Sequence, residues 1–210
     1  MSTQLILFFT TAIVMICTPG PDIIYVSTRG VAQGRRVALL STLGVCLGYI
    51  VHTFLAVLGL SALLQASSLA FNIVRYAGAA YLVYLGIKTL ASKRPLLETA
   101  STQKVATGRT HRIVLQGMLT SMLNPKGILF FMAFLPQFMS AGSLAIPLQM
   151  LLLGLTFTLL CLIIYGLIGT LTGTVGNRLV QRPNVAGFMK WFSGSVLVGL
   201  GLRMALPERR

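Results

Sequence analysis

Apolar stretches of bilayer length recur from one end of this 210-residue chain to the other. A helix rises about 1.5 Å per residue, so about 20 apolar residues cross a hydrocarbon core of about 30 Å. Such stretches lie at 4–27, 38–64, 69–91, 113–138, 144–170 and 186–206. In lipid, only a helix or a closed barrel satisfies its own backbone. A barrel would alternate over segments of about ten residues, and no such alternation occurs. Charged residues make up 10% of the chain, against about 25% in a soluble domain. The expected fold is therefore an all-α integral membrane protein with six transmembrane helices and no soluble domain. The opening "MSTQ" lacks the basic start of a cleavable signal.

A net charge of +14 raises the question of nucleic acid, and the placement of the charges answers it. Arg29, Arg35 and Arg36 fall in the first expected connection. Lys88, Lys93, Arg94, Lys104, Arg109 and Arg112 surround the third, and Arg178, Arg182 and Lys190 the fifth. The connections near 65–68 and 139–143 carry no charge. That alternation is the positive-inside pattern, so the implied partner is anionic lipid, not nucleic acid. It puts the basic loop 92–112 in the cytoplasm, between a first unit at 1–91 and a second at 113–210. Both termini then lie outside, although Arg203, Arg209 and Arg210 oppose this for the C-terminus.

The first span is broken by "TPGPD", residues 18–22. Each proline withdraws a backbone donor, and a carboxylate adds about 3 kcal/mol at mid-bilayer on insertion scales. A weak repeat supplies a reason. "RYAGAAYLVYLGIK" (75–88) matches "KWFSGSVLVGLGLR" (190–203), with Val83 on Val198 and Gly86 on Gly201. Span six thus copies span three, and three spans per copy require the second copy to be inverted. Span four should then copy span one, and it contains "MLNPKGILFF" (122–131). Aligning Pro21 with Pro125 sets Gly20 on Asn124 and Asp22 on Lys126. Helices interrupted at equivalent places in two inverted halves point to a transporter's substrate site. Asp22 is the sole acid in any expected span, and intramembrane charges are functional by default. A structural ion pair between Asp22 and Lys126 is the rival reading.

Other side chains carry weaker signals. His52 is either a proton relay or a histidine satisfied by a backbone carbonyl, and the second reading is favoured. Arg75 and Asn72 suit interfacial anchoring or an exit vestibule, while Phe131 and Tyr84 are candidate cavity walls. Gly44-x-x-x-Gly48 permits close helix contact, within the bundle or between protomers of a homodimer. Cys17, Cys46 and Cys161 have no metal-site spacing and read as small core residues. No metal or cofactor is expected.

"TPGPD", "NPK" (124–126), "FFMAFLPQF" (130–138), "GVCLGYIVH" (44–52) and "AGAAYLVYLGIK" (77–88) together resemble the lysine exporter (LysE/RhtB) family of bacterial amino-acid effluxers. The resemblance spans nearly the whole chain. It implies an exporter of amino acids or close derivatives in the bacterial inner membrane, driven by the proton gradient, without fixing the cargo. Threonine, homoserine, leucine or similar neutral cargo is the expectation. On this reading Lys126 holds the substrate carboxylate, and Asp22 alternates between the ammonium and a proton. Thr18, Gly20 and Asn124 supply hydrogen bonds where Pro19, Pro21 and Pro125 unwind the helices. An intramembrane enzyme would need a second acid, a Ser–His pair or clustered metal ligands, which the spans lack. A channel or an importer remains the alternative.

Overall fold

The computed structural model describes residues 2–60, 68–91, 109–139 and 144–175, together with 191, 194–195, 198–199 and 201–202. Among the described residues all regular structure is helical, with no strand. The α-helices are α1 (Ser2–Cys17), α2 (Pro21–Gln33), α3 (Arg35–Leu55), α4 (Ser68–Ala91), α5 (Thr110–Met122), α6 (Pro125–Leu129) and α7 (Ile146–Val175). A π-helical turn, Ala56–Leu60, extends α3. Another, Phe130–Phe134, and a 3-10 turn, Leu135–Phe138, follow α6.

Both expected breaks are present. The chain bends by 53° between α1 and α2, and by 52° between α5 and the segment starting at Pro125. Pro21 and Pro125 each open the helix after the break. Proline's fixed φ suits that first position, where an N–H would be unpaired anyway. Asn124 also caps α6, its side-chain oxygen accepting from the Lys126 N–H at 3.1 Å. Residues Arg35–Gly59 and Ile146–Thr174 are each long and apolar enough to cross a membrane alone. The two bent pairs bring the candidate spans to as many as four, and α4 adds a shorter apolar stretch, Ala79–Lys88. Most of the expected sixth span and most of the basic loop lie outside the described residues.

Several boundaries differ from the sequence reading. The first span runs on to Gln33, so the first connection shrinks to Gly34, whose φ of 84° closes the turn. Arg29 is therefore not in a connection but buried on α2, and Arg35 already belongs to α3. A span that bends at mid-length needs more residues to reach the interface. The fifth span likewise continues to Val175, past residue 170.

Helix α3 packs against α5 and α7. A methyl added at Gly44 would lie 3.1 Å from the Gly117 Cα, and one at Gly48 would lie 2.7 Å from the Ser121 Cβ. The Gly44/Gly48 pair thus serves contact within the bundle. The α4 helix meets the described residues of 190–203 closely and reciprocally. A methyl at Gly86 would approach Val198 and the Gly194 carbonyl; one at Gly201 would approach Val83 and the Ala79 carbonyl. Rising numbers on one side meet falling numbers on the other, so the crossing is antiparallel. An aromatic cluster fills the centre, with Phe130 and Phe157 ring centroids 4.4 Å apart. Cys46 and Cys161 are buried free thiols, and Cys17 is partly buried.

Candidate functional site

The two breaks face each other, and each leaves backbone carbonyls without helical donors. Pro19 has no N–H for the Met15 carbonyl, and Pro21 has none for Cys17. Lys126 crosses from the other break and fills part of this gap. Its Nζ donates to the Met15 oxygen at 2.8 Å and to the Thr18 oxygen at 2.9 Å. A cation is also the favourable charge at the C-terminal end of α1. The Tyr165 hydroxyl donates to the Ile16 oxygen at 3.2 Å. Thr18 turns its own hydroxyl back onto Val14 at 2.7 Å.

The second break is served from the first half in the same manner. Pro125 cannot donate to the Ser121 carbonyl, which accepts instead from the Asn124 N–H and from His52 Nε2, each at 3.1 Å. A carbonyl only accepts, so the His52 proton sits on Nε2. Asp22 reaches across to Asn124, whose amide donates to Oδ2 at 2.9 Å. The Tyr49 hydroxyl donates to the same oxygen at 2.5 Å. The other oxygen, Oδ1, is buried with no hydrogen-bond partner. A buried carboxylate oxygen left unpaired is costly and rare.

Asp22 and Lys126 are both buried, at 0% and 3% exposure, yet they make no ion pair with each other. Each instead binds the opposite break, and Asn124 touches both, through Asp22 Oδ2 and the Lys126 N–H. Gly20 lies beside the Lys126 ammonium; a Cβ there would sit 3.4 Å from Nζ. Phe131 stacks on Tyr49 at 5.9 Å and on His52 at 5.7 Å, walling the site. Tyr84 is not brought there: it is exposed on α4, with its ring beside Tyr81 and Lys88. The Arg75 and Asn72 side chains lie outside the described residues. Sequence reading missed Tyr49 and Tyr165. Their only signal was a hydroxyl in the middle of an otherwise apolar stretch, where buried tyrosine needs a partner.

An open crevice of about 500 Å³ runs between α2 and α5, and Pro21 and Asn124 form its inner end. It brings solvent-sized space up to the residue that holds Asp22.

Comparison with known proteins places the chain in a family. The family model for LysE type translocators matches residues 13–207. The chain is 31% identical over 202 residues to an uncharacterized membrane protein of Vibrio cholerae, covering 96% of each. It is 32% identical over 200 residues to a leucine efflux protein of Klebsiella pneumoniae, covering 94% of this chain and 92% of that one. A leucine efflux protein of an Enterobacter strain is 30% identical over 194 residues, with 92% and 91% covered. No solved structure matches. Paired proline breaks, apolar helices and a family match across almost the whole length lead to one conclusion: this chain is a multi-pass bacterial inner-membrane protein of the LysE type translocator family.

Proposed function

We propose that the protein exports neutral amino acids or close derivatives in exchange for protons. The observation that carries this reading is the pair of facing breaks, bridged by Asn124, with one carboxylate oxygen left open. A zwitterion needs an anion for its ammonium and a donor for its carboxylate. Asp22 Oδ1 supplies the first. Lys126 engages two carbonyls and so keeps one of its three N–H donors for the second, on the side where Gly20 has no side chain. One carboxylate that takes either the ammonium or a proton gives antiport without further groups. The leucine efflux proteins among the relatives support neutral cargo.

On the same reading the fold is two inverted three-helix repeats, 1–91 and 113–210, flanking a cytoplasmic loop at 92–112. The antiparallel, reciprocal crossing of Gly86 with Val198 and of Gly201 with Val83 supports this, because each contact is the repeat equivalent of the other with the two helices exchanged. Rocking of one repeat against the other then alternates access to the breaks.

The deciding experiment is counterflow in proteoliposomes against a panel of amino acids, with and without a pH gradient. Uptake of neutral amino acids that the gradient accelerates is expected. Absence of counterflow for every amino acid and derivative sinks the assignment, and flux indifferent to the gradient sinks the antiport.

A further inference from the structure

We propose that Tyr49 is a positioning residue for Asp22: its hydroxyl occupies one carboxylate oxygen and so confines the proton, and the substrate ammonium, to the other. The proposal rests on the exporter reading, in which Asp22 exchanges those two cations, and names the residue that orients the exchange.

The asymmetry of the carboxylate carries the argument. Oδ2 accepts twice, from the Tyr49 hydroxyl at 2.5 Å and from the Asn124 amide at 2.9 Å, while Oδ1 accepts nothing. A carboxylate oxygen offers about two lone-pair sites, so Oδ2 is full. The Asn124 amide cannot turn round, because its oxygen is engaged by the Lys126 N–H. The Tyr49 hydroxyl has as little freedom. Its ring is buried, stacks on Phe131 at 5.9 Å and meets Phe157 edge-on at 5.1 Å. The Gly127 backbone closes a further side, where even a methyl group would lie 3.2 Å from Tyr49 Cε1. A phenol held by its ring can turn only its proton, so the hydroxyl stays on Asp22.

The other ionisable groups around the carboxylate are Cys46 and His52 on α3, Lys126 on α6, and Cys161 and Tyr165 on α7. Four of the five turn to backbone carbonyls instead. Cys46 faces that of Thr158, His52 that of Ser121, Lys126 those of Met15 and Thr18, and Tyr165 that of Ile16. On α2 itself, Arg29 binds Gln116 of α5. Among the described residues, Tyr49 is thus the one titratable side chain hydrogen-bonded to Asp22. A hydroxyl donated to a carboxylate favours its charged form. Without it, Asp22 should protonate more readily, and Oδ2 becomes a second place for the proton.

The chain holds three acidic side chains in all, so infrared spectroscopy can follow Asp22 directly. The full-length protein in liposomes is titrated while the C=O stretch of its protonated carboxyls is recorded. Asp22→Asn identifies the Asp22 band by its loss. Tyr49→Phe keeps the ring and should keep the band, with its midpoint raised by about one pH unit. A folded Tyr49→Phe protein whose midpoint is unchanged or lower overturns the proposal while the exporter reading stands. Wild-type protein without a titrating Asp22 band overturns both. A second preparation covers the chance that Tyr49→Phe misfolds. The unaltered sequence grown with 3-fluorotyrosine carries a more acidic phenol, a stronger donor, and its midpoint should fall. No shift there overturns the proposal as well.

Discussion

Lys126 Nζ donates to the carbonyl of Thr18 at 2.9 Å, so the cation of one broken span closes the break in the other. Asp22 does the converse by accepting from Asn124. The two charges act as crossed braces between the halves, and neither completes an ion pair with the other. Any movement that separates the breaks must loosen both braces.

Replacing Lys126 with Met should lower stability as well as binding. Two buried carbonyls lose their donor, at about 1–3 kcal/mol each. The melting temperature in detergent should fall by more than it does for Asp22→Asn, which keeps the contacts and the shape. Equal melting temperatures for Lys126→Met and the unaltered protein would show that the cap contributes nothing.

Asp22→Asn removes titration but keeps the side chain's size. Transport driven by a pH gradient should be lost while substrate–substrate exchange persists at a reduced rate. A double-mutant cycle on substrate binding should give coupling of about 1 kcal/mol or more between Asp22 and Asn124, which touch. Asp22 and Lys126 should couple less, because Asn124 stands between them. Well-inserted Asp22→Asn protein that still concentrates substrate with a pH difference would show that the proton rides elsewhere.

His52 donates to the carbonyl that Pro125 orphans, which is a structural duty. His52→Gln retains an N–H donor on a side chain of similar reach and should keep proton-driven transport within about threefold. Loss of the pH dependence in a stable His52→Gln protein would make the ring a proton relay after all.

Gly48→Ala should destabilise by about 1–3 kcal/mol. The new methyl would lie 2.7 Å from the Ser121 Cβ and 2.8 Å from the Met118 carbonyl, and two packed helices cannot both yield. Gly20→Ala should be nearly neutral for stability, since its nearest neighbour is the far end of a long side chain at 3.4 Å and its φ of −170° is ordinary extended backbone. A thermal-shift comparison of the two checks the contrast; the reverse order would contradict the packing described.

Much of this protein is decided within short windows of sequence. Apolar length demands membrane helices, because lipid offers no other partner for the backbone. Pro19, Pro21 and Pro125 demand breaks, because a proline has no N–H to give. Their order along the chain also sets Asp22 directly after Pro21 and Lys126 directly after Pro125, one charge at each break. What those side chains do at the breaks was not legible, because it depends on partners far along the chain. Lys126 finds its acceptors 108 and 111 residues away, and Asp22 finds Asn124 102 residues away. Tyr49 and Tyr165 entered the site only when α3 and α7 folded against the breaks. Even Arg29 changed from a loop charge to a buried brace, once α2 used its full length to reach the interface. Local chemistry fixed where the chain must break; packing alone chose which group closes each break, since an orphaned carbonyl accepts whichever donor the fold brings within reach.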